Sequence, residues 1–228
     1  MAENGSVAWS SVGKKVITGV TGFALMGFII AHLIGNLTLF IGPAQFNGYA
    51  HFLESILYGW FVIAFELVML FVFLFHMIAA ITVAWTDRRK ARTEGYRYAR
   101  NAGGKSRKTL SSTTMIYTGI LIILFVIGHI YLFKINPSHE NLYATVSAAF
   151  SGIGFTAFTM IIMILLGFHL RHGFWSAFQS LGWTNDKYLP VLTRIALAFA
   201  VIMAIGFFVI PVYMYFSGDS SFTMPGGH

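Results

Sequence analysis

Four histidines lie inside long apolar stretches of this sequence: His32, His76, His129 and His169. An ionisable side chain within a lipid bilayer is costly, so each of these residues is by default a candidate functional group. Imidazole nitrogens can ligate a metal ion or relay protons. The depth of the four side chains decides between these two chemistries, and that depth depends on the helices that carry them.

The composition is that of an integral membrane protein. Of the 228 residues, 57% are hydrophobic and only 10% are charged, which is unlike a soluble domain. The chain has no cysteine, which excludes disulfides, thiolate metal sites and covalent haem attachment. The net charge of +7 comes from basic residues between the apolar runs, so membrane topology explains it better than binding to nucleic acid.

Five apolar stretches are long enough to span a bilayer as α-helices, which takes about 20 residues. The first follows two lysines, as in a signal peptide, but it is too long for one and shows no cleavage site, so we interpret it as a retained span. Residues 49–54 can form a short helix at the membrane surface. The sequence predicts an all-α membrane protein, one integral domain over 1–228, with spans at about 16–41, 58–85, 110–133, 142–170 and 189–216.

The basic residues predict the orientation of these spans. The segment from Asp87 to Lys108 contains nine Lys or Arg residues against two acidic residues. Cytoplasmic loops carry the basic excess, so this segment is expected inside, with the N-terminus inside and the C-terminus outside. On that topology 14 of the 15 basic residues fall on the cytoplasmic side, and only Lys134 lies outside.

Depth sorts the four histidines into two layers. His32 and His129 lie late in spans that run outward, whereas His76 and His169 lie late in spans that run inward. Two histidines per layer suit the two axial positions of one haem, while a structural zinc site normally takes four ligands at one depth. The first four spans are therefore predicted to form a bundle around two stacked haems. The alternative is that each histidine is a hydrogen-bonded packing residue.

A weak internal repeat supports the bundle. Thr21-Gly22 precedes His32 by nine intervening residues, and Thr118-Gly119 precedes His129 by the same number. Small residues let helices or a flat macrocycle approach closely. The repeat therefore predicts that the first four spans form two similar helical hairpins.

Two polar residues follow the last of the four histidines. Arg171 and His172 lie within one helical turn of His169, towards the predicted cytoplasmic end. Arg171 can pair with a haem propionate, although the positive-inside bias also explains it. His172 can contact a propionate or a partner subunit, or face interfacial water.

Three further polar residues lie towards the predicted outer side. Glu66 is roughly 15 Å outward of His76 along the helix, where a carboxylate would be protonated, hydrogen-bonded or part of a proton path. His51 and Glu54, in the outer connection, can exchange protons with a quinone bound beside the outer haem. The alternative for His51 and Glu54 is an exposed surface pair.

Several sequence runs are specific and not merely hydrophobic. They are AHLIGNL at 31–37, FIGP at 40–43, FNGYAHFL at 46–53 and HLRHGFWSAFQSLG at 169–182. With these runs the chain resembles, over almost its whole length, the five-helix, di-haem cytochrome b subunit of succinate:quinone oxidoreductases. These are the type B succinate dehydrogenases and fumarate reductases.

The resemblance implies that His32 and His129 ligate an outer haem b, and that His76 and His169 ligate an inner one. It also implies a bacterial cytoplasmic membrane, a flavoprotein partner with covalent FAD and an iron–sulfur partner, both docked on the cytoplasmic side. Succinate and fumarate chemistry would occur in those partners. This chain would supply the anchor, the haems and part of a quinone site, with menaquinone as the expected quinone. The resemblance does not decide whether the complex forms a homo-oligomer.

Two positions depart from the family pattern. Some di-haem fumarate reductases carry an acidic residue, proposed for compensating proton transfer, two positions before the fourth ligand, where this chain has Gly167. Relatives often have Arg in the segment 112–115, where this chain has Thr113. A proton path through the first position is therefore not expected here, and a propionate contact at the second is expected to be weaker or to come from another residue.

Two other functions compete with this interpretation. One is a di-haem, quinol-oxidising cytochrome that serves a different reductase. The other is a haem-free, proton-coupled transporter whose histidines relay protons. Five spans without a pair of broken helices in two inverted halves make poor transporter architecture.

Overall fold

The computed structural model describes residues 10–87, 109–137 and 141–217. Within those ranges the chain is helical and has no strand. Five helices are long and apolar enough to cross a membrane, which confirms the predicted all-α class with five spans. The basic segment 88–108, on which the predicted orientation depends, lies outside the described residues.

The helices are numbered here in chain order. Those of membrane length are α1 (Ser11–Leu37), α3 (Trp60–Ile81), α4 (Leu110–Ile130), α6 (Ile153–Ser180) and α7 (Leu189–Ser217). The shorter ones are α2 (Pro43–Ser55) and α5 (Leu142–Phe150). Turns of 3₁₀-helix at Thr38–Phe40 and Ile56–Gly59 follow α1 and α2, and π-helical turns at Thr82–Asp87 and Tyr131–Ile135 follow α3 and α4.

Local sequence explains where several helices begin. The Ser10 hydroxyl accepts a hydrogen bond from the Gly13 amide at 3.0 Å and so caps α1. Thr109 and Ser112 form a reciprocal capping box at the start of α4. The Asn141 side chain accepts from the Ala144 amide at 2.8 Å and caps α5. These caps satisfy amides that have no partner within the helix.

The fourth span differs from its predicted range. The stretch predicted as one helix over 142–170 is divided at Ser151 and Gly152 into the short α5 and the membrane-length α6. Most of α5 is buried by other helices of the chain, on every side. A helix that is apolar all round is buried, and hydropathy alone does not distinguish burial in protein from burial in lipid.

The connection predicted over 171–188 is also mostly helical. Helix α6 continues through Arg171 and His172 to Ser180. It ends because Gly182 adopts a positive φ of 73°, a conformation that glycine takes without steric cost. The membrane-length helix is therefore displaced along the sequence relative to the prediction.

Helix α6 lies at the centre of the bundle. It packs against α1, α4 and α7, while α3 packs against α1. Glycines permit the closest approaches: a Cβ on Gly206 of α7 would lie 2.6 Å from Leu33 Cδ2 of α1. Among the described residues α3 and α4 have no extensive contact with each other. The bundle thus joins the hairpin α1–α3 to the hairpin α4–α6 through α1 and α6.

One asparagine ties α2 to the start of α5. The Asn47 Oδ1 accepts a hydrogen bond from the Tyr143 amide at 3.0 Å, and its Nδ2 donates to Asn141 Oδ1 at 3.4 Å. We expect Asn47→Leu to lower the free energy of unfolding by about 1–3 kcal/mol, because it leaves a partly buried amide without an acceptor. Thermal unfolding in detergent measures this loss. Gln45→Ala, on the exposed face of the same helix, is the control and should change it little.

Candidate functional site

The four histidines meet in two pairs. His32 of α1 and His129 of α4 have ring centroids 5.9 Å apart. His76 of α3 and His169 of α6 have ring centroids 6.5 Å apart. Each pair joins two different helices, so helix packing creates it. These are the two pairs expected from depth in the sequence, while ligation by them stays a prediction.

The spacing within each pair suits a single metal ion. Two imidazoles that ligate one ion from opposite sides, each nitrogen about 2 Å from it, hold their ring centroids roughly 6 Å apart. Both pairs lie close to this separation. Their ring planes are turned by 84° and 65° relative to each other. The residues present therefore fit bis-histidine haem at two sites.

Hydrogen bonds identify the tautomer of His76. Its Nδ1 lies 3.2 Å from the Thr18 carbonyl oxygen and 3.2 Å from Thr21 Oγ1. A carbonyl oxygen only accepts, so Nδ1 carries the proton and donates it. The other ring nitrogen, Nε2, then has the free lone pair that a metal ion requires.

The partner ring has the same surroundings. His169 Nδ1 lies 3.3 Å from Thr118 Oγ1, and the Met115 carbonyl is a further backbone partner of this ring. The Thr118 hydroxyl donates its own proton to the Met115 carbonyl at 3.0 Å, so its oxygen accepts from His169 Nδ1. The proton is therefore on Nδ1 and the free lone pair on Nε2. Both members of the His76–His169 pair are thus held in the ligating tautomer by polar groups of a neighbouring helix.

The His32–His129 pair lies among aromatic rings. Phe28 stacks on His32 with centroids 5.4 Å apart and planes at 24°, and Phe207 lies 6.0 Å from the same ring. Phe133 lies 4.9 Å from His129. These rings shield the pair from polar groups and make its surroundings apolar.

Glu66 has a partner that sequence reasoning missed. Its carboxylate lies 2.7 Å from Lys134 Nζ, and both side chains are about half exposed at 45% and 56%. The ion pair bridges α3 to the π-helical turn after α4, two helices that otherwise pack little against each other. The sequence contained one indication of this pair: Lys134 is the one basic residue that the predicted topology assigns to the outer side, where Glu66 also lies.

His51 and Glu54 lie on the exposed face of α2. His51 Nδ1 is 4.0 Å from Glu54 Oε2, and the two side chains are 84% and 64% exposed. This geometry agrees with the surface-pair alternative. Proton exchange with a quinone stays a prediction for both residues.

Arg171 and His172 lie on α6 within one helical turn of His169 and are half-buried. The His172 ring contacts Trp175 edge to face with centroids 5.0 Å apart. Their predicted contacts with haem propionates or with a partner stay predictions. Thr113, at a position where relatives often carry arginine, is exposed, and its hydroxyl donates to the Thr109 carbonyl at 3.0 Å.

The chain is similar in sequence to a known cytochrome subunit. It is 24% identical over 192 residues to the succinate dehydrogenase cytochrome b558 subunit of Bacillus subtilis (strain 168), a match that covers 80% of this chain and 89% of that protein. This chain is a distant relative of that subunit. No family model and no solved structure matches the chain. The relative and the five apolar helices support a multi-pass membrane protein.

Proposed function

We propose that the chain is the membrane-anchor cytochrome b subunit of a succinate:quinone oxidoreductase. It passes electrons between an iron–sulfur subunit and quinone through two haem b groups. The observation that carries this proposal is the pair of bis-histidine spacings, 5.9 and 6.5 Å, on four helices of one bundle. The similarity to a succinate dehydrogenase cytochrome subunit supports the choice of complex.

The chain's own residues would hold the two haems. His32 and His129 ligate one through α1 and α4, and His76 and His169 ligate the other through α3 and α6. Bound haem supplies a one-electron carrier whose iron cycles between the ferric and ferrous states. The helices would keep each pair of rings at a fixed separation, and the phenylalanines around His32 and His129 would exclude water from that pair. Arg171 and His172 would contact the propionates of the second haem.

The proposed partners lie on the cytoplasmic side of a bacterial membrane. A flavoprotein with FAD and an iron–sulfur subunit dock there, with the basic segment 88–108 as the expected contact, and the N-terminus is cytoplasmic. The quinone, for which we propose menaquinone, binds beside His32 and His129 at the outer side of the membrane. His51 and Glu54 would exchange protons with it there.

The visible spectrum of the purified protein tests this proposal. We expect reducible b-type haem in a ratio of two per chain, and copurification of a flavoprotein with the anchor. A protein without reducible haem would overturn the electron-transfer function and favour the proton-coupled transporter. Two haems with a partner other than a flavoprotein would identify a cytochrome of a different reductase.

Variants of the Glu66–Lys134 ion pair can distinguish a structural role of Glu66 from a role in proton transfer. We expect Glu66→Gln and Lys134→Met each to destabilise the protein, with a coupling energy of roughly 1 kcal/mol, because each change leaves the other group without its partner. Thermal unfolding of the single and double variants in lipid nanodiscs measures the coupling. If Glu66 acts in proton transfer alone, Glu66→Gln slows quinol turnover, Lys134→Met does not, and the two variants are additive.

A further inference from the structure

Each histidine of the His76–His169 pair rests on a Thr-Gly dipeptide of a neighbouring helix. Thr21-Gly22 of α1 lies against His76, with Thr21 Oγ1 3.2 Å from the imidazole Nδ1. Thr118-Gly119 of α4 lies against His169, with Thr118 Oγ1 3.3 Å from Nδ1. The internal repeat of the sequence thus places one polar contact on each side of the same pair.

The threonine hydroxyls are oriented to accept from the imidazoles. Thr21 Oγ1 donates its proton to the Ile17 carbonyl at 2.6 Å, and Thr118 Oγ1 donates to the Met115 carbonyl at 3.0 Å. Each hydroxyl proton is therefore used within its own helix. The oxygen is left with lone pairs that face the N–H of the imidazole.

The glycines leave room for the imidazole rings. A Cβ on Gly22 would lie 3.3 Å from His76 Cε1, and a Cβ on Gly119 would lie 3.4 Å from His169 Cε1. Both distances are at the short limit of van der Waals contact, and the contact is with a ring edge and not with a flexible chain end. A Cβ at position 22 would require the His76 ring to move by a few tenths of an ångström, and a Cβ at position 119 would just touch the His169 ring.

The other pair has no such support. Among the described residues no hydrogen bond reaches a ring nitrogen of His32 or His129, and the nearest groups are rings such as Phe28 and Phe133. The dipeptides lie on the same helices as these two histidines, yet they contact the histidines of the other pair. The two sites therefore differ in polarity around their ligands although both are bis-histidine.

We propose that Thr21-Gly22 and Thr118-Gly119 are matched positioning elements that set the reduction potential of the iron held by His76 and His169. An acceptor at Nδ1–H makes the imidazole a stronger electron donor at Nε2, which stabilises ferric over ferrous iron and lowers the potential. The glycines keep each ring in the orientation that makes this hydrogen bond. The inference rests on the proposed function, since it presupposes haem at this pair.

Valine variants remove the hydroxyl while conserving shape. In Thr21→Val and Thr118→Val, each tested in the membrane-bound holoprotein, the potential of one haem rises while that of the other stays unchanged. The two substitutions act on opposite ligands of one iron, so their shifts add in the double variant. A redox titration followed in the visible spectrum resolves the two haems.

Two further substitutions control for bulk effects. Thr21→Ser and Thr118→Ser keep the hydroxyl and should leave both potentials near wild type. Thr82→Val removes a hydroxyl that donates to the Ile78 carbonyl at 2.6 Å, as Thr21 does to Ile17, but that forms no hydrogen bond with a histidine in the described part of the chain. It should shift neither haem. Equal shifts in the serine and valine variants, or no shift in either valine variant, would overturn the proposal.

A measurement without haem separates this inference from the proposed function. In the haem-free protein with ¹⁵N-labelled histidine, His76 and His169 should be protonated at Nδ1, with that proton moved downfield by its acceptors. The valine variants should shift that resonance upfield. Wild-type rings protonated at Nε2 would overturn the inference whether or not the protein binds haem. A protein that keeps Nδ1 protonated but never binds haem would overturn the proposed function and the effect on the reduction potential with it, and would leave only the hydrogen bonds standing.

Discussion

Replacing His76 with alanine removes one of the two haems, and replacing His169 as well removes no more. We expect this result because the two rings form one ligand set, with centroids 6.5 Å apart, and an alanine methyl cannot reach the metal position. The same holds within the His32–His129 pair, whose centroids are 5.9 Å apart. One substitution from each pair should remove both haems.

Haem content per chain, from the reduced spectrum against protein concentration, measures the effect. The expected values are half of wild type for any single variant or any double variant within a pair, and none for a double variant across pairs. His51→Ala, on the exposed face of α2, is the control and should retain both haems. Full haem loss in a double variant within a pair, with half retained across pairs, would show that the ligands pair differently.

A glutamate at position 167 should separate α6 from α7. A Cβ on Gly167 would lie 2.9 Å from Ala204 Cβ and 3.5 Å from the Ala200 carbonyl oxygen. Even alanine overpacks this contact, at a cost of about 1–3 kcal/mol. A carboxylate there would also be buried without a partner, so we expect Gly167→Glu to destabilise the protein more than Gly167→Ala does.

Position 154 of the same helix provides the matched control. No atom lies within 4 Å of a Cβ built on Gly154, and this residue is exposed. Gly154 is the second residue of α6, so Gly154→Ala should change the stability by less than the roughly 0.5–1 kcal/mol that separates alanine from glycine in a helix interior. The measurement is the thermal unfolding midpoint, in one detergent, of the alanine and glutamate variants at positions 167 and 154. A Gly167→Glu protein as stable as Gly154→Glu would contradict the packing argument.

This contact also bears on a departure from the family that the sequence resembles. Some di-haem fumarate reductases carry an acidic residue at the position of Gly167. In this chain the close approach of α6 and α7 leaves no volume for one. A proton path through that position is therefore incompatible with the packing found here.

The number of spans and the pairing of the histidines were predictable because both follow from local properties. A run of about 20 apolar residues identifies a span wherever it lies. The constant rise of a helix converts sequence position into depth, which brought His32 together with His129 and His76 together with His169 in the prediction. Apolar character did not predict the division at Ser151 and Gly152, because burial by protein and burial by lipid select the same residues.

Contacts between helices could not be predicted in this way. The sequence showed that Thr21-Gly22 and Thr118-Gly119 repeat, and it related them to the histidines of their own helices. Only the packing of α1 on α3 and of α4 on α6 shows that they contact His76 and His169. The partner of Glu66 was missed for the same reason, because Lys134 is distant in sequence and reaches it only when the helices assemble.

The amino-acid sequence by itself determined that this protein is a five-span membrane bundle with two layers of paired histidines, because hydropathy and helical rise act along a single chain segment. The tertiary structure alone decided which groups surround each pair. It placed hydroxyls and carbonyls at His76 and His169, and phenylalanine rings at His32 and His129. Those surroundings depend on the rotation and register of one helix against another, which small residues at the contacts set and which no single segment encodes.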